Sequence, residues 1–146
     1  MKDEDFDQLK EYYEKELVID DSSKLNIQTK LNKIPGLIQE TSNLLDTEKN
    51  KLINFEIMLK ETFSTLYHKY KFPKRGDGLE FEYSLDSKGE ITTYIEGNKD
   101  YLNKYRVVEN QRRQVEFLAQ QLINIKDFHW SLKNKLEVDK FYIGGI

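Results

Sequence analysis

Branched apolar residues recur every seven positions through the first half of the chain, at Ile38, Leu45, Leu52, Leu59 and Leu66. Seven residues are two turns of an α-helix, so this spacing commits the stretch to a long helix with one apolar stripe. Phe55, Phe63 and Tyr70 widen the stripe. The helix is predicted over roughly Gly36 to Phe72, with Pro73 and the turn-forming Gly76-Asp77-Gly78 ending it. A second series occupies the last third of the chain: Tyr101, Val108, Val115, Leu122, His129 and Leu136, complemented by Leu118, Ile125 and Leu132. It predicts a helix from Asn98, as N-cap, to about Phe141, with a break near residues 126–130 left open and Gly144-Gly145 as a stop. The two stripes can cover each other as a helical hairpin within one chain. The later one can instead join copies of the chain, which is favoured because few other elements exist to cover both.

The remaining segments are shorter. Asp3 to Leu17 is predicted as an amphipathic helix, with Phe6, Leu9, Tyr13 and Leu17 on one face. Asp20–Ser23 offers N-cap residues for a helical segment from Lys24 to about Ile34. Pro35-Gly36 is expected to break or kink the chain there, or to let Pro35 open the next helix from its first turn. "LEFEYSLD" (79–86) alternates apolar and polar side chains, "SKGE" (87–90) suggests a turn, and "ITTYI" (91–95) is β-prone. The expectation is a mainly α protein of long helices, with a coiled-coil-like C-terminal assembly helix and a short β-like or extended crossover. In chain order this gives a helical region (1–78), an acidic crossover (79–97) and a C-terminal helical region (98–146).

Charge is banded. Residues 1–21 carry nine acids against three bases, 22–75 five against ten, 76–100 seven against two, and 101–146 five against eight. The net charge of −3 therefore hides a basic band that an anion would meet locally, because charge beyond roughly 8–10 Å is screened. The chain has no cysteine, which excludes disulfide scaffolds and thiol chemistry and fits a reducing cytoplasm. The acidic start lacks the apolar core of a signal peptide, and no apolar run approaches the length of a membrane span. His68 and His129 have no metal-ligating partner at helical spacing, and no nucleotide-binding or nucleophile motif occurs. Neither a metal, a cofactor nor catalysis is expected.

Within the basic band, Lys69, Lys71, Lys74 and Arg75 alternate with Tyr67, Tyr70 and Phe72. Cations contact phosphates and aromatic faces stack on unpaired bases. Helices also commonly end in Lys or Arg to complement their dipole, so the run alone fits either reading. Arg75-Gly76-Asp77 spells an adhesion tripeptide but is ordinary turn chemistry after a helix.

The order of features resembles the UvsY-like recombination mediators of tailed phages. The likeness is carried by the acidic amphipathic start, "ELVIDDSSKL" (16–25), "KIPGLI" (33–38), "TLYHKYKF" (65–72), "KRGDG" (74–78), "IEGNKDYL" (95–102) and "IKDFHWSLKNKLEVDKFYIGG" (125–145). The resemblance implies a non-enzymatic protein of homologous recombination and repair in the cytoplasm of an infected bacterial host. It implies binding of single-stranded DNA, assembly into a ring-like homo-oligomer, and help for a phage RecA-type recombinase in replacing the single-strand binding protein. By matching position, the DNA-contacting residues implied are Lys60, His68, Lys69 and Lys71, with Lys74 and Arg75 next. The assembly element implied is the C-terminal helix, matching Leu118 through Phe141; with the heptad pattern this makes Val115, Leu118, Leu122, Ile125, Trp130, Leu132, Leu136 and Phe141 the candidate assembly residues. The alternative is a coiled-coil adaptor or phage assembly factor with no DNA role.

Overall fold

A computed structural model of the chain describes residues 1–19, 24–72 and 87–144. Among these described residues there are four helices: α1 (Asp3–Glu16), α2 (Lys24–Lys71), α3 (Lys88–Glu96) and α4 (Lys99–Gly144). Every regular element among the described residues is a helix. The capping stretch 20–23, the alternating stretch 79–86 and the turn at 76–78 lie outside those residues.

α1 follows its sequence pattern. Asp3, Glu4 and Asp5 sit in its first turn and Lys15 in its last, each favourable to the helix dipole. Leu17 closes it by donating its amide to the Tyr13 carbonyl at 3.0 Å.

The expected break at Pro35 does not occur; α2 runs unbroken through Pro35-Gly36. A proline inside a helix removes one hydrogen bond and costs about 3 kcal/mol. Here Ile34 and Leu37 flank it and are both buried. Full burial of each contributes roughly 1.5–3 kcal/mol, enough together to offset that cost. Gly36 has no packing reason to lack a side chain, since a Cβ there would meet nothing within 4 Å. Gly36→Ala is therefore expected to raise stability by about 0.5–1 kcal/mol in denaturant unfolding. An unchanged or lowered midpoint would show that the helix is not continuous at this point.

The β-prone reading of 91–95 is also corrected, because these residues form α3. "SKGE" has the spacing of a capping box rather than of a hairpin turn. Ser87 accepts at its Oγ from the Glu90 amide at 3.5 Å and at its carbonyl from the Ile91 amide at 3.0 Å. Ile91 and Ile95, four apart, are fully buried on one face. Thr92 and Thr93 satisfy their hydroxyls by donating back to the carbonyls of Lys88 and Gly89. α4 begins as expected: Asn98 Oδ1 accepts from the amides of Asp100 and Tyr101 at 2.9 and 3.2 Å. The helix is continuous through 126–130 and reaches Gly144.

The chain divides into two compact units, one of Met1–Lys49 with Arg113–Ile146, the other of Asn50–Arg112. This division joins the two ends of the chain, whereas the regions drawn from the sequence follow chain order. The first unit buries Tyr13 of α1, Ile27, Ile34, Leu37 and Leu45 of α2, and Leu118, Ile125, Phe128 and Leu132 of α4. Tyr13 and Thr41, both buried, share a 2.7 Å hydrogen bond between their hydroxyls. Burial pushes the Tyr13 phenol above its ordinary pKa, although that hydrogen bond acts the other way. Thr41 and Glu48 continue the buried row of Ile27 and Ile34 at seven-residue steps, with polar side chains. The second unit packs Leu66 and Tyr70 of α2 against Ile91 and Ile95 of α3, with Phe63, Tyr67 and Tyr101 half-buried beside them.

Candidate nucleic-acid interface

The last turns of α2 supply the candidate cations. Lys60, His68 and Lys69 are exposed, and Lys71 is half-buried. The C-terminal end of a helix carries roughly half a negative charge, so an anion here is held by side-chain ammonium groups rather than by backbone amides. Lys71 Nζ lies 5.7 Å from the Tyr67 ring centre and 5.6 Å from that of Phe72. The His68 ring sits 5.3 Å from Phe72.

These residues do not converge on one face. Lys60, Tyr67 and Lys71 are separated by seven and four residues and share a face, with Phe63 at its edge. Lys69 stands on the far side of the helix from Lys60, one turn beyond Thr65. Lys74 and Arg75 lie outside the described residues.

The aromatic partners also separate. Tyr70, expected among the stacking rings, belongs to the core of the second unit; it is 8% exposed, and its hydroxyl accepts from Asn98 Nδ2 at 3.1 Å. Phe72 is exposed. Two rings that the sequence reading placed elsewhere or passed over join Phe63 and Tyr67. Tyr101 meets Phe63 edge-on, and Tyr105 stacks beside Tyr101. The pairs Phe63/Tyr67 and Tyr101/Tyr105 are each four residues apart, a spacing that puts two rings on one helix face and was readable in the sequence.

Two other cations of this unit are occupied. Lys104 donates to Thr62 Oγ1 at 2.9 Å and to Asp100 Oδ2 at 3.2 Å, which gives its ammonium partners at a position in heptad register with Leu118 and Ile125. Arg112 bridges Glu56 at 3.1 Å and also pairs with Glu109.

The candidate assembly residues divide by burial. Leu118, Ile125 and Leu132 are 0% exposed within the single chain, as the intramolecular alternative anticipates. Val115, Leu122 and Leu136 pack half-buried against the same core. Trp130 is 65% exposed, with Lys133 Nζ 5.8 Å from its ring centre. The side chain of Phe141 lies outside the described residues. Ile123, Trp130 and Val138 form an exposed apolar row at steps of seven and eight residues. That row, unlike Leu118, Ile125 and Leu132, is exposed on α4 in the single chain.

The sequence matches no protein-family model and no curated protein. Among solved structures it is similar to the bacteriophage T4 recombination mediator protein UvsY in three crystal forms. In one the identity is 20% and the TM-score 0.80, over 93% of this chain and 98% of that one. In a second they are 23% and 0.77, over 92% and 98%. In a third they are 22% and 0.78, over 98% of both. At such identity the likeness is one of fold, and it extends over nearly all of both chains. This chain is built on the fold of the phage T4 recombination mediator UvsY.

Proposed function

We propose that the protein is a recombination mediator. It binds single-stranded DNA and promotes loading of a phage RecA-type recombinase against a single-strand binding protein, in the cytoplasm of the infected host. It acts without catalysis or cofactor, as a homo-oligomer that is a ring. The observation carrying this reading is the whole-length likeness to a recombination mediator. The exposed cations at the end of α2 support the DNA-binding part. One such end is a weak grip in an acidic chain. Several copies in an assembly convert later contacts into intramolecular ones and raise affinity by about 10²–10⁴. The proposed assembly surface is the outer face of α4 around Trp130, with half-buried Val115, Leu122 and Leu136 at its margins.

The test is binding to a labelled single strand across a salt series. Four phosphate contacts, from Lys69, Lys71, Lys74 and Arg75, predict a slope of log affinity against log salt of about −3 per engaged subunit, with little dependence on base sequence. Loading is read separately, as recombinase filament formation on DNA already covered by single-strand binding protein. No binding at low salt would refute the DNA-binding reading. Binding without faster loading would leave a single-strand binder that is not a mediator.

A further inference from the structure

The aromatic rings of the second unit form a series. Tyr105, Tyr101, Phe63 and Tyr67 follow one another at centroid distances of 6.3 Å in each of the three steps. Two rings come from α4 and two from α2, so the series crosses from one helix to the other. Lys71, whose ammonium stands over the Tyr67 ring, closes one end. Lys60 shares the α2 face of Tyr67. Beyond Tyr105 the next turns of α4 carry Glu109 and Arg112, and there Arg112 draws Glu109 and Glu56 into ion pairs.

Core packing explains only part of this arrangement. Phe63, Tyr67 and Tyr101 rest against Leu66, Tyr70, Ile91 and Ile95 but remain half-buried. Tyr105 lies one turn further along α4, belongs to neither core cluster and is 45% exposed. A series of rings that meet edge-on at its Phe63–Tyr101 step, with ammonium groups on the α2 face of Tyr67, has the chemistry that holds an unpaired strand: cations for phosphates, π-faces for bases. The steps are well above the roughly 3.4 Å repeat of bases in a duplex strand. The series therefore suits bases splayed from one another rather than a stacked helix. This deepens the proposed function and rests on it.

We infer that Tyr105, Tyr101, Phe63 and Tyr67 form a stacking rail for the bases of single-stranded DNA, with Lys60 and Lys71 taking the phosphates beside it. The recognition is of unpaired bases as a class, without regard to sequence, since every base has a π-face.

The experiment compares a labelled oligothymidylate with an abasic oligomer of equal length and charge. The intact protein is expected to bind the thymidylate about tenfold or more tightly, the effect of one or two stacked bases. Tyr105→Ala should lower that ratio toward one while leaving the salt slope unchanged. Tyr105→Phe, which keeps the ring, should preserve the ratio. Lys71→Ala should reduce the slope by about 0.7 and leave the ratio in place. Each variant is first checked for unchanged helical circular dichroism; Tyr105 lies outside both cores, so its replacement is compatible with folding. Equal affinity of the intact protein for both oligomers overturns the rail while leaving DNA binding standing. A Tyr105→Ala ratio equal to that of the intact protein overturns it as well. Failure to bind either oligomer at low salt refutes the proposed function itself.

Discussion

Ile125→Asp is expected to abolish the cooperative thermal transition and most of the helical circular dichroism. Ile125 is 0% exposed, on α4 in the core of the first unit. Truncating such a side chain costs about 2–5 kcal/mol through lost burial and the cavity left behind. A carboxylate placed there without a partner adds several kcal/mol more. Domains of this size are stable by only about 5–15 kcal/mol, so the sum reaches the whole margin. The same reasoning applies to Leu118 and Leu132, both also fully buried. Trp130→Glu is the informative contrast. At 65% exposure its change should leave the melting of the single chain nearly untouched, within about 0.5 kcal/mol. If copies associate through the outer face of α4, Trp130→Glu dissociates them, and sedimentation detects it. An Ile125→Asp protein that melts within a few degrees of the parent would show that this core is wrongly drawn.

That contrast marks what sequence spacing conveys. The heptad rows of α2 and α4 were legible because apolar residues at seven-residue steps identify a helix face whatever covers it. Periodicity does not say what the covering surface is. Leu118, Ile125 and Leu132 have the pattern of a seam between chains, yet the structure covers them within one chain. The polar members of the core were invisible to an apolar count. Thr41 is buried because Tyr13 reaches it with a hydroxyl, a partnership between positions 28 residues apart. α3 was missed because β-branched residues weighed more than position. Ile91 and Ile95 are four apart, Ser87 caps, and the threonines donate to the preceding turn, so tertiary burial and capping overrode local propensity. Pro35 shows the same hierarchy, a local rule outweighed by two buried neighbours. At the candidate interface, helical spacing alone groups Lys60, Tyr67 and Lys71. It cannot place Tyr101 beside Phe63, because that contact depends on how α4 packs on α2.

Replacing Lys69, Lys71, Lys74 and Arg75 together by alanine is expected to weaken binding of single-stranded DNA by about 10²–10³-fold near 0.1 M salt. The magnitude follows from counterion release. Each phosphate neutralised on a single strand contributes about 0.7 to the salt exponent, so at roughly 0.1 M each contact supplies about a fivefold gain over the high-salt limit. Four contacts multiply to between two and three orders of magnitude, and the salt slope should flatten by about 3. The loss should be similar for thymidylate, mixed-sequence and abasic strands, because phosphates are common to all. The fold should survive, since Lys69 is exposed, Lys71 only half-buried, and neither belongs to a core cluster. Lys71 makes its ring contacts at the edge of the second unit, so a small fall in stability, under about 1 kcal/mol, accompanies its removal. Lys69 faces away from Lys60 on α2, and a strand that engages both must wrap the helix end. Restoring Lys71 alone should then recover its own share of slope, about 0.7, without recovering the rest. Binding that survives the quadruple change with its slope intact would place the DNA elsewhere on the molecule.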